Sequence, residues 1–190
     1  MSLGDRHVVA LMWAAWALYW WALSFNVKLA AKRESPLSRL LHIGPLLLAG
    51  LLLWLERVPL AALDARYLPA QAWPAWLGGA LTGAGLLFTV WARRHIGRNW
   101  SATVTIKQEH EFIASGPYAI VRHPIYTGLL FAFAGSAFAR GDWQGVLAVA
   151  IAALALWRKL RLEERWLRQH FGADYAAYCR RTAALLPFIW

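Results

Sequence analysis

Long apolar runs separated by short polar segments dominate the pattern of the chain. The runs cover residues 8–25, 40–55, 73–91, 125–139 and 143–157. The last two are shorter than the roughly 20 residues that a spanning helix needs. Only Arg140, Gly141 and Asp142 separate them, which is typical of a tight helical hairpin. The pattern therefore predicts an all-α polytopic membrane protein, with about five transmembrane helices in a single membrane domain.

The composition agrees with this architecture. Apolar residues make up 59% of the 190 residues and charged residues only 16%, whereas charged residues make up about a quarter of soluble domains. The 13 tryptophans also favour a bilayer, because indole rings prefer the membrane interface. A cleaved signal peptide is the alternative for the first run. The segment before that run has almost no basic character and basic residues follow it, so we predict a retained helix.

The positive charges divide unevenly between alternate loops. With five spans, 16 of the 20 Lys and Arg residues fall in the first loop, the third loop and the C-terminal tail. The positive-inside rule then predicts a cytoplasmic C-terminus and an external N-terminus. This topology explains the net charge of +10 through attraction to membrane lipids, so nucleic-acid binding is not expected. A short polytopic chain is typical of bacteria, which places it in the inner membrane.

Polar and aromatic side chains are concentrated in the third loop, residues 92–121, and directly after it. A Gly-Pro turn signal lies at 116–117. His123 precedes Pro124, which disfavours a helical His123 and places Pro124 in the first turn of the fourth span. The free N–H groups of that helix start favour an anion, beside Arg122 and His123. The alternative is that these side chains only anchor the chain at the membrane interface.

An amphipathic cytoplasmic helix is predicted for residues 156–171, with leucines on one face and arginines on the opposite face. Glu163 and Glu164 fall at the borders of the apolar face. Acidic groups beside an apolar face near a membrane are unfavourable unless they have a partner. Both are therefore candidates for ligand binding. A salt bridge at helical spacing, such as Glu164 with Arg168, is the alternative.

The glycines of the third run predict close helix packing, because Gly79 and Gly83 have the spacing of a small-residue contact. A phosphate-binding loop is not expected inside an apolar span. The sequence has no HExxH, Walker or GxSxG motif, its six histidines lack metal-ligand spacing, and Cys179 is its single cysteine. Neither a metal site nor a catalytic triad is therefore expected.

Two motifs in the second half resemble the isoprenylcysteine carboxyl methyltransferase family and the related phospholipid N-methyltransferases. The first is GPY followed by RHPIYTG in residues 116–128, and the second is EE followed by FGADYAAY in residues 163–178. Their combination is far more specific than either half. The resemblance implies an integral membrane methyltransferase that uses S-adenosylmethionine, held on the cytoplasmic side by the last two membrane helices and flanking segments.

The resemblance also implies individual contacts. The implied cofactor-binding residues are His110, Glu111, Phe112, Ile113, Tyr118, His123, Pro124, Ile125, Tyr126 and Glu163. Arg122 joins them from its place beside the helix start. In the family a basic residue one turn before the glutamate contacts substrate. Lys159 has that spacing here, although Arg158 and Arg161 are neighbours.

Methyl transfer from a sulfonium needs alignment more than acid–base groups, because the leaving group departs neutral. No catalytic residue is therefore expected. We hypothesise that His123 and Arg122 hold the carboxylate end of the cofactor, and that Glu163 binds its ammonium or ribose hydroxyls. Tyr118 and Tyr126 would shape the pocket. A lipophilic acceptor would enter from the membrane, between the last two spans and the third.

The acceptor and two other classes of function stay open from the sequence. A lipid headgroup amine, a small thiol and an isoprenoid carboxylate all fit as acceptors. A membrane sterol-type reductase using NADPH is the alternative enzyme. A non-enzymatic membrane scaffold or lipid-binding protein is the third possibility. The oligomeric state is not predicted.

Overall fold

The structure, a computed structural model, describes residues 3–25, 27, 30–56, 58–100, 105–107 and 112–187. The elements in these residues are α1 Leu3–Leu23, β1 Ala30–Arg33, α2 Pro36–Trp54, α3 Ala61–Asp64, α4 Ala72–Ile96, a 3-10 turn Gly97–Asn99, β2 Thr105–Lys107, α5 Pro117–Ile120, α6 Pro124–Arg140 and α7 Trp143–Arg181. The chain is therefore almost entirely helical, as the sequence predicts.

Each apolar run forms a helix, but the last run does not end where the sequence placed its end. The fifth run and the amphipathic helix form one continuous element, α7, which is 39 residues long. Its only non-helical backbone is at Gly172. Two segments, Pro36–Trp54 and Ala72–Asn99, are long and apolar enough to cross a membrane. The five-span topology stays a prediction.

The turn between α6 and α7 follows from two residues. Gly141 ends α6 with φ +70°, a left-handed conformation that glycine adopts without steric strain. Asp142 then caps α7, its Oδ1 accepting a hydrogen bond of 2.9 Å from the Gly145 amide. The tight hairpin predicted at this position is confirmed.

Helices α4 and α6 are in the closest contact of the bundle, through glycines on both sides. A Cβ atom on Gly85 would lie 2.5 Å from the Gly128 carbonyl oxygen, and one on Gly78 would lie 2.5 Å from the Gly135 oxygen. The predicted pair is on a different face: Gly79 and Gly83 have only ordinary contacts with α1. The glycines that pack closely on α6 are therefore Gly78 and Gly85, and not the predicted Gly79 and Gly83. The run contains glycines on both faces of α4, so spacing alone does not identify the face in contact.

A short antiparallel ribbon joins the first and third loops, and the sequence did not predict it. Strand β1 pairs with β2, with Ala30 opposite Lys107. The two loops therefore lie at the same end of the bundle, in agreement with the charge pattern. Strands this short carry too little periodicity to be recognised in a sequence.

The outer faces of several helices are apolar. Leu47 of α2, Leu87 of α4 and Leu154 of α7 are each at least 70% exposed. A soluble monomer rarely exposes apolar side chains along whole helices. With the two membrane-length helices, this surface indicates a membrane protein.

The segment after α7 packs against the start of α6. The Arg122 and His123 amides donate to the carbonyls of Ala183 and Ala184 at 2.8 and 3.1 Å. The Thr127 hydroxyl donates to the Leu185 carbonyl at 2.6 Å. These bonds fix the RHP motif against the C-terminal segment, and so position the side chains described next.

Candidate cofactor and acceptor site

A cavity of about 460 Å³ lies between the helices at the end where α6 begins. Every predicted site residue that the structure describes lines it. These are Phe112, Ile113, Tyr118, Arg122, His123, Pro124, Ile125, Tyr126, Lys159 and Glu163. His110 and Glu111 lie outside the described residues. The cavity volume is in the usual range for small-molecule sites.

Side chains from α6 and α7 meet on the cavity wall. The Tyr126 hydroxyl donates a hydrogen bond of 2.6 Å to Glu163 Oε1. His123 Nδ1 lies 3.6 Å from Glu163 Oε2, and its ring stacks on Tyr126 at a centroid distance of 5.3 Å. The Glu163 side chain is still 24% exposed. The predicted convergence of the RHP motif with the glutamates of α7 is confirmed.

Glu164 has a different environment from Glu163. Its side chain is 7% exposed and its Oε1 accepts hydrogen bonds from Arg122. Its Oε2 lies 3.2 Å from Arg168, which is the salt bridge at helical spacing that the sequence offered as the alternative. Burial alone would raise the pKa of Glu164, but His123 and Arg122 outweigh it and lower the pKa to about 2.

Arg122 lines the cavity, but its guanidinium donors are engaged inside the protein. Besides Glu164, Nη1 donates to the carbonyls of Cys179 and Thr182. Arg122, at the start of α6, therefore connects to α7 and to the segment after α7 through hydrogen bonds. With its donors engaged in this way, Arg122 is suited to position Glu164 and the adjacent His123.

The three neighbouring basic residues of α7 have separate environments. Arg158 donates to the Ser38 carbonyl at 2.9 Å and lies against His42. Arg161 is exposed, with Cζ 5.7 Å from the Trp157 ring centroid. Lys159 lines the cavity, with Nζ 5.3 Å from the Tyr126 ring centroid. Lys159, which has the spacing that the family resemblance implies for a substrate contact, is therefore also the one of the three that lines the cavity.

Helices α1 and α2 contribute a part of the wall that no sequence motif indicates. Trp16 and Trp20 stack at 4.6 Å and line the cavity, as do Ile43 and Leu46. His42 also lines it and is fully buried, with Nε2 3.3 Å from Glu34 Oε1. In the sequence, only the position of His42 inside an apolar run indicates that this region has a polar function.

Three buried tyrosines surround the other side of the cavity. Burial raises the pKa of Tyr118, Tyr175 and Tyr178, so each hydroxyl keeps its proton at neutral pH. The Tyr178 hydroxyl donates to the Tyr118 carbonyl. Phe112 contacts Tyr175 and Tyr178 edge-on. The GPY and FGADYAAY motifs therefore meet in one aromatic cluster.

Comparison with known proteins gives a family for this chain. The model of the phospholipid methyltransferase family matches residues 73–174, and the chain belongs to this family. The protein-S-isoprenylcysteine O-methyltransferase B of Arabidopsis thaliana is 32% identical over 103 residues, which cover 49% of each chain. The cobalt-zinc-cadmium resistance protein CzcN of Cupriavidus metallidurans is 33% identical over 115 residues, covering 59% of this chain and 51% of the relative.

A third relative, the protein-S-isoprenylcysteine O-methyltransferase of Saccharomyces cerevisiae, is 29% identical over 119 residues, covering 60% of this chain and 48% of the relative. The matches thus span about half the length of these curated relatives. The family match contains Tyr118, His123, Lys159 and Glu163. The wall from α1 and α2 lies outside it.

Proposed function

We propose that the protein is an S-adenosylmethionine-dependent methyltransferase that acts on a lipophilic acceptor delivered by the membrane. The observation that carries this proposal is the meeting of His123, Tyr126 and Glu163 on the wall of a cavity that is lined mostly by apolar and aromatic side chains. Family membership supports methyl transfer. The apolar outer surface supports an acceptor drawn from lipid.

The donor set fits the cofactor. Glu163 presents a partly exposed carboxylate to the cavity, which suits an ammonium or ribose hydroxyls. The buried tyrosine Tyr175 has a hydroxyl that finds no hydrogen-bond partner among the described residues, and it lines the cavity. When bound, S-adenosylmethionine supplies an electrophilic methyl group. The protein residues then have to orient the two reactants and exclude water.

The polar and aromatic residues among the predicted contacts have separate parts in this proposal. Glu163 binds the polar end of the cofactor, oriented by the Tyr126 hydroxyl and by His123. Tyr118 and the aromatic cluster shape the pocket. Arg122 positions His123 and Glu164, because its own donors are already engaged. Lys159 contacts the acceptor.

We assign the acceptor tail to the apolar part of the cavity wall. The part of the wall formed by Trp16, Trp20, Ile43 and Leu46 is apolar and comes from the two N-terminal helices. Helix α1 packs on α4 and α2 packs on α7, with at most marginal contact between α1 and α2. We therefore infer that the tail lies between α1 and α2. This position differs from the path that the sequence predicts, between the last two spans and the third.

The membrane topology completes the proposal. The joined first and third loops and the arginines of α7 lie on the cytoplasmic side of a bacterial inner membrane, as the positive-inside rule predicts. Labelling of single cysteines in a Cys179→Ser background tests this orientation. Arg181→Cys should react only from the cytoplasmic side, and Arg66→Cys only from the outside. The opposite pattern would reverse the topology.

Product analysis tests the activity. Purified protein is incubated with methyl-labelled S-adenosylmethionine and, separately, a prenylated cysteine with a free carboxyl, phosphatidylethanolamine vesicles and a long-chain thiol. We expect label in one acceptor and none in it with Glu163→Ala. Labelling of none of the three, together with saturable NADPH binding, would instead indicate a reductase. No binding of either cofactor would indicate a scaffold.

A further inference from the structure

Buried polar atoms without a hydrogen-bond partner concentrate at the cavity. Among the described residues, four cavity-lining side chains carry such an atom: His42, Asn99, His123 and Tyr175. Both histidines have a carboxylate oxygen within 3.4 Å, so an ion-pair partner is close. The Asn99 Oδ1 has no comparable neighbour in the contacts of the described residues, although Asn99 is only 8% exposed.

An unpaired amide oxygen in a buried position is unfavourable by about 1–3 kcal/mol. Native proteins rarely retain one without a reason. Because Asn99 lines the cavity, a ligand with an N–H donor would remove this penalty. The structure thus points to a hydrogen-bond donor on the bound molecule at this position.

The backbone around Asn99 is fixed before any ligand binds. Asn99 ends the 3-10 turn that follows α4. Arg93 holds this turn, donating to the Gly97 carbonyl at 2.7 Å and to the Leu23 carbonyl of α1 at 2.8 Å. Hydrogen bonds from Arg93 to both segments therefore hold the turn that carries Asn99 against α1.

The next residue in the chain adds an aromatic ring to the same cavity. Trp100 lines the cavity, and the Arg93 guanidinium lies 4.4 Å from its ring centroid. Trp20 contacts the same ring edge-on, with a centroid distance of 5.6 Å and an interplanar angle of 89°. The indole of Trp100 is therefore held in one orientation by a cation and a second indole.

We propose that Asn99 and Trp100 bind the adenine of S-adenosylmethionine, an inference that rests on the proposed function. Asn99 Oδ1 accepts a hydrogen bond from the exocyclic amino group, and Trp100 packs against the flat base. An amide oxygen is a neutral acceptor, so it recognises an amino group and disfavours a carbonyl oxygen. The site therefore distinguishes adenine from hypoxanthine, in which a carbonyl replaces that amino group.

Calorimetric titration of the purified full chain in detergent tests this assignment. The probes are S-adenosylhomocysteine and S-inosylhomocysteine, and the variants are Asn99→Leu and Asn99→Ser. We expect the wild type to bind the adenosyl compound at least about tenfold more tightly than the inosyl compound. Both variants should lower affinity for the adenosyl compound about tenfold and bring the ratio close to one.

The neighbouring exposed Arg98 offers a matched control, since Arg98→Leu should leave both affinities unchanged. Trp100→Leu should weaken both compounds to a similar extent, whereas Trp100→Phe should retain most of the affinity. An unchanged ratio in the Asn99 variants, or equal binding of both compounds by the wild type, overturns the adenine assignment and leaves the methyltransferase proposal intact. If the wild type binds neither compound, the proposed function itself fails.

Discussion

The two ends of α6 each carry a buried arginine, but only one end is built as a binding site. At the C-terminal end, Arg140 donates to the carbonyls of Leu53 and Leu55 and pairs with Asp142 at 2.8 Å. We call this group, with Gln144, the Arg140 cluster. At the N-terminal end, Arg122 pairs with Glu164 at 2.8 Å in what we call the His123 cluster, together with His123, Tyr126 and Glu163.

The difference between the clusters lies in what remains accessible. The Arg140 cluster joins α2, α6 and α7, because both Arg140 and Gln144 donate to carbonyls at the end of α2. The His123 cluster also contains a structural pair, but Glu163 and Tyr126 beside it line a cavity. In both clusters the arginine therefore holds neighbouring segments together. The His123 cluster is distinguished as a binding site by its polar groups on the cavity wall.

Removing the arginine of the Arg140 cluster should produce the largest loss of stability. Arg140→Met leaves the Leu53 carbonyl without this donor and the Asp142 carboxylate without its cation, although Asp142 still accepts from the Gly145 amide and the Leu55 carbonyl still accepts from Gln144. We expect the free energy of unfolding to fall by about 3 kcal/mol. Denaturant unfolding in detergent measures this loss. Binding of S-adenosylhomocysteine by the folded fraction should stay within about twofold of wild type, because the cluster does not line the cavity.

The exposed Arg66, which donates to the Arg140 carbonyl at 2.8 Å, is the matched control. Arg66→Met should lower the free energy of unfolding by at most about 1 kcal/mol. A tenfold loss of ligand affinity in Arg140→Met would show that both ends of α6 serve the site, and would remove the distinction between the clusters.

Acid should weaken the His123 cluster through Glu164. Its pKa of about 2 in the folded protein lies below its ordinary value of 4.5, so the unfolded chain binds the proton first. The stabilisation is complete above pH 4.5 and is lost as the pH falls towards 2. We expect the free energy of unfolding to drop on the order of 1–2 kcal/mol across this window, because solvent screens part of the interaction.

Glu164→Gln supplies the comparison, because an amide does not titrate. At neutral pH the variant should be less stable than wild type, and the two unfolding curves should approach each other as the pH falls through the same window. Curves that stay parallel from pH 5 to pH 2 would show that Glu164 is not the titrating group.

Glu163 should affect binding more than folding. In Glu163→Gln the Tyr126 hydroxyl can still donate to the side-chain oxygen, so stability should change by less than about 1 kcal/mol. Loss of the charged acceptor should lower the affinity for S-adenosylhomocysteine about 10- to 100-fold by calorimetry. The exposed Glu56, which does not line the cavity, is the control: Glu56→Gln should bind as wild type does. Equal affinity in Glu163→Gln and wild type would contradict the role proposed for this glutamate.

Much of the bundle could be predicted because apolar runs and turn residues report on local structure. The hairpin at Gly141 and the helix start at Pro124 follow from single residues with strong backbone preferences. The continuity of α7 could not be predicted in the same way. Polar residues after Trp157 look like the end of a membrane helix, although the helical backbone continues through them to Arg181.

The residues of the site fall into two groups: those that local sequence motifs predict, and those that depend on contacts between distant parts of the chain. His123 and Glu163 could be predicted from motifs in which close neighbours in sequence carry the chemistry. Asn99, His42 and the tryptophans of α1 could not, since what matters for them is burial against helices distant in sequence. That the Asn99 amide oxygen finds no partner among the described residues is visible only in three dimensions.

Two glycine-to-alanine substitutions in α4, one near each end of α6, test the difference between the clusters by adding a single methyl group. Gly85 contacts Gly128 near the His123 cluster, and Gly78 contacts Gly135 near the Arg140 cluster. Alanine at either position places Cβ 2.5 Å from a carbonyl oxygen of α6, so each variant should lose about 1–3 kcal/mol of stability. We expect only Gly85→Ala to weaken S-adenosylhomocysteine binding, several-fold by calorimetry, because it separates the end of α4, which leads to Asn99, from the start of α6. Gly79→Ala, whose Cβ would lie 4.0 Å from Val9, should do neither. Equal losses of affinity in Gly78→Ala and Gly85→Ala would mean that α6 moves as a rigid rod, and that the His123 cluster responds to packing along its whole length.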